Sequence, residues 1–95
     1  MAEVKYEWDE AKAASNLRKH KVSFEEAKLA LADPSAIIEP DDSEPNEERW
    51  RTTGIAAAGI VFVVTTEPDD KTIRIISARK ATRHEHARYH RQAFS

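Results

Sequence analysis

Two patterns of apolar residues along the chain predict strands. Apolar and polar residues alternate in Val4–Trp8 and in Arg49–Ile55, as expected for strands with one buried face. Ile60–Thr66 is rich in β-branched residues and predicts a central strand covered on both sides, followed by a strand over Thr72–Arg79. Short turns join the last three segments, which indicates an antiparallel meander with Val4–Trp8 as an edge strand. Ala36–Glu39 could add one brief strand.

Helical spacing and capping residues predict three helices. Asp9 is a suitable N-cap for the first helix. Ser23 and Thr82 each precede a glutamate by three residues, which is the capping-box pattern at the start of a helix. The predicted helices run from about Glu10 to Lys19 or His20, from Ser23 to the Asp33–Pro34 pair, and from about Arg83 to Gln92.

The order of elements, β-α-α-β-β-β-α, indicates an α+β fold. A helical hairpin and a C-terminal helix are expected to pack on one face of a small antiparallel sheet. Ala13, Ala14 and Leu17 are predicted on the inner side of the first helix, and Asn16 on its polar side. From its length of 95 residues, the chain is expected to form a single domain, 1–95, with one core.

Composition and charge exclude several functions. The absence of cysteine excludes disulfides, thiol nucleophiles and thiolate zinc sites. The first ten residues lack the features of a signal peptide and no apolar stretch could span a bilayer, so we expect a soluble cytoplasmic protein without a membrane partner. The formal net charge is −2, but seven Lys or Arg residues and one glutamate follow position 70. This basic third could contact phosphates, or it could be a solvated helix.

The strand-to-helix junction near position 80 is a candidate phosphate site. Arg79, Lys80 and Arg83 surround the start of the last helix, where free backbone N–H groups favour an anion. Strict alternation along the preceding strand places Arg74 on one face and Arg79 on the other. The alternative is that these cations neutralise the acidic loop.

Two further groups could act on RNA. Arg49 and Trp50 could hold a phosphate and stack a base; the alternative is that Arg49 pairs with an acid and Trp50 anchors the core, and for Trp50 alone the core position is favoured. His20, at the end of the first helix, could serve as an acid or base because imidazole groups titrate near neutral pH. His86 and His90 are four residues apart, but the H-E-x-x-H pattern that begins at His84 fails because the residue four positions later is Arg88, so no metal and no cofactor are predicted.

Motifs across nearly the whole chain are similar to those of the BrnT family of bacterial toxins. The motifs are Tyr6–Lys12 (YEWDEAK), Asn16–His20 (NLRKH), Val22–Ala27 (VSFEEA), Glu47–Trp50 (EERW) and Ile73–Arg83 (IRIISARKATR). The family usually has glycine where this chain has Lys21, so the left-handed helix cap expected there must be made by a lysine or be rearranged.

The resemblance implies a RelE-like fold and an endoribonuclease that slows translation. It also implies a BrnA-type ribbon-helix-helix antitoxin, with operator DNA contacted only through that antitoxin. The site residues that it implies are Lys19, His20, Arg49, Arg79 and Arg83 for catalysis, and Lys12, Trp50, Arg74 and Lys80 for RNA binding.

Metal-independent RNA cleavage requires deprotonation of the 2′-hydroxyl, stabilisation of the phosphorane and protonation of the leaving 5′-oxygen. Arg79 and Arg83, helped by Arg49, suit the second task, and His20 or Lys19 suits the proton transfers. The alternative is a non-catalytic module that binds a partner protein through its basic C-terminal region.

Overall fold

The computed structural model describes residues 3–94 and shows a mixed sheet with helices on both sides. In chain order the elements are β1 (Lys5–Glu7), α1 (Glu10–His20), α2 (Phe24–Leu31), β2 (Ile37–Asp41), β3 (Arg49–Ala56), β4 (Gly59–Asp69), β5 (Thr72–Lys80) and α3 (Arg83–Ala93). The predicted α+β fold and the three predicted helices are confirmed, with ends that differ by one or two residues; α2 ends at Leu31, two residues before Asp33.

The sheet has five strands in the order β1-β5-β4-β3-β2. β2 to β5 form the predicted antiparallel meander, while β1 lies parallel to β5 at one edge. The optional strand near Ile37 is present and extends through Pro40 to Asp41. Pro40 is tolerated there because β2 is an edge strand, whose outer side needs no backbone donor.

The α1–α2 hairpin covers one face of the sheet, which we call the hairpin face. Its core consists of Val22, Phe24, Ala27, Ala30, Val61, Val63, Ile75 and Ala78. α3 packs on the opposite face, where Tyr89 meets Ile37 and Ile60. The expectation that all helices lie on one face is therefore wrong. β4 is apolar on both faces because a helix layer covers each of them.

α1 begins at its predicted cap and buries an unexpected residue. The Asp9 carboxylate accepts hydrogen bonds from the first-turn amides, and Lys21 forms the left-handed C-cap with φ 61°. Asn16 is the buried residue of this helix, whereas Leu17 is 47% exposed and Ala14 is exposed as well. The predicted inner face of α1 is thus partly wrong, because Asn16 has buried hydrogen-bond partners across the fold.

α2 lies close against β3 and connects to α3. The ideal Cβ position of Gly54 is 2.5 Å from the Ala30 carbonyl oxygen, so only glycine fits at this contact. Just beyond α2, the Asp33 carboxylate accepts hydrogen bonds from the Ile55 N–H at 2.9 Å and from the Tyr89 hydroxyl at 2.5 Å. Asp33 therefore joins the end of α2 to β3 and to α3.

A β-bulge in β5 changes the direction of its side chains. Val64 pairs with Ser77, but Thr65 pairs with Ile75, so Ile76 has no partner on β4. Ile75 and Ala78 consequently both point into the hairpin-face core although they are three residues apart. Arg74 and Arg79 then share the opposite face, and the prediction that each face holds one arginine is wrong.

Candidate active site

Four arginines from two strands lie on the face opposite the hairpin, which we call the arginine face. Residues that pair across neighbouring strands form three rows on this face. The upper row is Ile37–Thr53–Phe62–Arg79, and the middle row is Glu39–Arg51–Val64–Ser77. The lower row contains the Asp41–Arg49 pair and the Thr66–Arg74–Glu7 set. α3 covers the upper row near Ile37, and its Arg88 reaches down to Glu39 in the middle row. Arginine side chains are thus distributed over the whole length of this face.

Each of these arginines has a carboxylate partner. Arg88 and Glu39 form a bidentate pair at 2.8 and 2.7 Å, and Arg51 approaches the same carboxylate at 3.5 Å. The hydrogen bonds from Arg88 lower the pKa of Glu39 below its ordinary value. Arg49 binds Glu47 and Arg74 binds Glu7, both at 2.8 Å. The arginine face is therefore an organised network of ion pairs and not a bare cationic patch.

Arg79 is the most constrained member of this network. Its Nη1 and Nη2 atoms donate to the two Glu85 oxygens at 2.8 and 3.0 Å, and its guanidinium carbon lies 4.1 Å from the centroid of the Phe62 ring. These hydrogen bonds raise the pKa of Arg79 and lower that of Glu85. The same Glu85 carboxylate accepts from the Thr82 N–H and completes the predicted capping box of α3. Glu85 thus binds the guanidinium group of Arg79 that we predicted, from the sequence, to bind a phosphate.

The last turn of α1 reaches the end of β5. Glu7, before α1, pairs with Arg74, and Asn16, within α1, hydrogen-bonds the backbone of Ala78, which lies four residues further along β5. The chain from β1 through α1 therefore runs in the same direction as β5. His20 lies one helical turn beyond Asn16, about 6 Å. Lys80 lies two residues beyond Ala78, about 7 Å. The ends of the two elements are therefore neighbours.

We call this end of the fold the β5–α3 corner. We define it by Arg79, Lys80 and Arg83 at the junction of β5 and α3, together with Lys19 and His20 in the last turn of α1. Within residues 3–94, the side chains of Lys19, His20, Lys80 and Arg83 make no ion pair or hydrogen bond. In contrast to the arginine face, the corner keeps cations that are free to bind an anion.

The structure does not bring the other predicted site residues to this corner. Arg49 lies four residues below the level of Arg79, about 13 Å along the strands, and Arg74 is in the same lower row. Trp50 points to the hairpin face, because it pairs with Thr65, whose other partner is the core residue Ile75. Lys12 is exposed in the first half of α1. Arg49 and Arg79 therefore cannot hold the same phosphate group.

Sequence reasoning missed the partners that organise this face. Arg51 could have been found, because it alternates with Arg49 and must share its face. Phe62 and Arg88 carry no such signal, since their contacts join strands or helices that are distant in sequence. Among residues 3–94, no cluster of three or more potential metal ligands is present, and His86 and His90 instead pack ring to ring at 4.6 Å.

The architecture defines a small α+β protein with a cationic corner beside an arginine-lined sheet face. Residues 8–85 match the model of a family described as the ribonuclease toxin, BrnT, of type II toxin-antitoxin systems. The chain belongs to this family, and the resemblance found in the sequence is confirmed. No curated protein sequence matches the chain.

A solved structure supports the same assignment. The fold is similar to the crystal structure of the ribonuclease toxin BrnT of Brucella abortus, with a TM-score of 0.67 and 25% sequence identity. The match covers 84% of this chain and 99% of that toxin. The chain is therefore a ribonuclease toxin of the type II class, with RNA as its substrate and an antitoxin as its partner. No helix within residues 3–94 is long and apolar enough to cross a membrane.

Proposed function

We propose that the chain is a metal-independent endoribonuclease whose catalytic centre is the β5–α3 corner. The support for this proposal is that Lys80 and Arg83, at the junction of β5 and α3, have no acidic partner in the described residues. In addition, the bonds of Asn16 to Ala78 bring the last turn of α1, with Lys19 and His20, towards the same end of the fold. An unpaired cationic site next to a helix N-terminus suits an RNA phosphate. We further propose that residues 1–95 form a single RelE-like toxin domain.

The proposed roles follow from what each side chain can do. Arg83 is exposed and free, so it can bind the non-bridging oxygens as negative charge develops on the phosphorane. Arg79 is held nearby by Glu85, which offsets much of its charge, so its proposed catalytic contribution is secondary to that of Arg83. His20 serves as the general acid or base, with Lys19 as the alternative for that role.

The remaining predicted residues are proposed to bind the RNA away from the cleaved bond. Arg49 and Arg74, in the lower row of the arginine face, would contact phosphates of more distant nucleotides. RNA that continues around to the hairpin side would meet Lys12 and Trp50. Lys80 would contact a phosphate at the corner itself. The protein would therefore contact several nucleotides of the RNA and not a single phosphate.

The partner is proposed to be a BrnA-type ribbon-helix-helix antitoxin. Such an antitoxin would cover the corner, and operator DNA would be bound only through it. The toxin would act in the cytoplasm, where cleavage of RNA slows translation. Support for these details comes from the motif resemblance and from membership of the family.

Cleavage of RNA by the purified chain in the presence of a chelator tests the proposal. We expect cleavage in excess EDTA, and a fall of at least about 100-fold for Arg83→Ala or His20→Ala. The matched control is Arg91→Ala, an exposed arginine in the last turn of the same helix. Dependence on added metal, or equal rates for wild type and both corner variants, would contradict the proposal.

Expression of the chain alone in bacteria provides a second test. Growth arrest that Arg83→Ala relieves would support cleavage of RNA in the cell. Harmless accumulation of folded wild-type chain would instead favour the non-catalytic binding module.

A further inference from the structure

The Arg79 side chain is already bound on most of its sides. Its two Nη atoms donate to Glu85 at 2.8 and 3.0 Å, and Nη1 also donates to the Lys80 carbonyl oxygen at 3.1 Å. The guanidinium carbon lies over the Phe62 ring, 4.1 Å from the ring centroid. Contacts within the protein thus occupy the guanidinium edge that usually binds a phosphate. They also occupy the side of the guanidinium that lies over Phe62.

What remains open includes a flat surface. The side chain of Arg79 is still 35% exposed. With the Nη edge bound to Glu85 and one side over Phe62, the parts of this side chain left for solvent are its Nε edge, its methylene stem and the flat face turned away from Phe62. β1 pairs with β5 only as far as Arg74, so no strand within residues 3–94 flanks Arg79 on its outer side. A planar cation supported by an aromatic ring and open on its other side is suited to stacking.

We propose that Arg79, held between Phe62 and Glu85, is a platform on which one nucleobase of the RNA substrate stacks. This inference rests on the proposed function, since the stacked base belongs to a nucleotide next to the phosphate held at the β5–α3 corner. Lys80 and Arg83 follow Arg79 within four residues and supply the cations for that phosphate. Bases stack on guanidinium planes with little dependence on base identity, because every base has a flat face.

The test uses a short single-stranded RNA and a set of variants in which one base at a time is replaced by an abasic ribose. For the wild-type chain, we expect one position at which loss of the base lowers cleavage about 10- to 100-fold. Arg79→Lys keeps the charge but has no planar group, so it should lower cleavage of the intact RNA by a similar factor. It should also be insensitive to base loss at that position. Equal sensitivity of wild type and Arg79→Lys to base loss would overturn the proposal.

Two further variants separate stacking from general loss of charge or structure. Arg74→Lys is the matched control, because Arg74 lies on the same strand and face with a similar exposed fraction of 40% but has no aromatic ring against it. This variant should retain the full effect of base loss. Phe62→Leu keeps an apolar side chain but removes the supporting ring, and should reduce the effect of base loss. An unchanged effect in Phe62→Leu would count against the supported platform.

A binding measurement distinguishes failure of the platform from failure of the nuclease assignment. 2-Aminopurine is a fluorescent base whose emission falls when it stacks, and it can be placed at each RNA position in turn. Quenching by wild type that is lost in Arg79→Lys supports the platform even if the chain cleaves no RNA, in which case only the proposed function fails. Cleavage without Arg79-dependent quenching at any position would overturn the platform and leave the proposed function standing.

Discussion

Asn16 hydrogen-bonds both backbone groups of Ala78. Its Nδ2 donates to the Ala78 carbonyl oxygen at 2.8 Å, and its Oδ1 accepts from the Ala78 N–H at 3.1 Å. β1 ends beside Arg74, so in the part of the chain that the structure describes no strand lies next to the outer edge of β5 at Ala78. The amide of Asn16 takes the place of that strand and also donates to the Val22 carbonyl oxygen at 2.9 Å. This one side chain thus fastens α1, the α1–α2 connection and β5 directly before the β5–α3 corner.

Replacement of Asn16 by alanine is expected to destabilise the fold strongly. The change would leave three buried backbone groups without partners, and each such group costs about 1–3 kcal/mol. We expect the free energy of unfolding to fall by about 3 kcal/mol, measured by urea denaturation. The neighbouring exposed Ser15→Ala should change it by less than about 0.5 kcal/mol. A loss below about 1 kcal/mol for Asn16→Ala would show that water or rearrangement satisfies these groups.

Substitution of Gly54 tests the close contact between β3 and α2. A Cβ at this position would lie 2.5 Å from the Ala30 carbonyl oxygen, well inside van der Waals contact. Gly54→Ala should therefore lower the free energy of unfolding by about 1–3 kcal/mol, as in other overpacked cores. Because the obstacle is a backbone atom, Ala30→Gly in the same chain should not restore stability. Rescue by that second change would show that the contact is with the Ala30 side chain instead.

Local signals made the helices predictable. Asp9, Ser23 and Thr82 are N-caps in the structure as in the prediction, because each cap acts through amides within three residues. Lys21 adopts the left-handed cap that the family resemblance implied. Glu26 shows the limit of such reasoning: its carboxylate accepts from the Ala58 N–H and does not complete the second capping box.

Properties that depend on distant residues were not predictable from the pattern. Asn16 is buried because of Ala78, which is 62 residues away in the chain. Arg74 and Arg79 share a face because of the bulge at Ile76, which strict alternation cannot reveal. For the candidate site, the sequence indicates the basic residues of the β5–α3 corner, but it does not predict that the Glu85 carboxylate binds Arg79. Ion pairs across the sheet carry no periodic signal in the sequence.

Tyr89 should titrate at unusually high pH. Its hydrogen bond to the Asp33 carboxylate, together with burial, raises the pKa of Tyr89 to about 12 from an ordinary 10.0. The folded state therefore holds this proton more tightly than the unfolded state does. The stabilisation is fully present below pH 10 and is lost as the pH rises through about 12. The tyrosinate absorbance difference between wild type and Tyr89→Phe should rise near pH 12.

The same variant measures the contribution of this bond to stability. Tyr89→Phe removes a hydrogen bond to a charged acceptor, so the free energy of unfolding near neutral pH should fall by about 2 kcal/mol. The Asp33 carboxylate keeps its bonds from the Ile55 and Ser35 amides, which limits the loss. A phenol that ionises near pH 10 in the folded chain, with no loss of stability in Tyr89→Phe, would contradict the assignment.

Neutralisation of Glu85 should change how the chain binds RNA. Glu85→Gln can still accept the Thr82 N–H bond that caps α3, but it no longer neutralises Arg79. The freed guanidinium can then bind a phosphate, so RNA affinity should rise and depend more steeply on salt, by about 0.7 in the logarithmic slope for one added contact. Fluorescence anisotropy across a salt series measures this slope. Glu25→Gln removes an exposed charge paired with Lys28 on α2, on the hairpin side, and should leave the slope unchanged. Identical slopes for wild type and Glu85→Gln would mean that Arg79 stays turned away from phosphate even without its carboxylate partner.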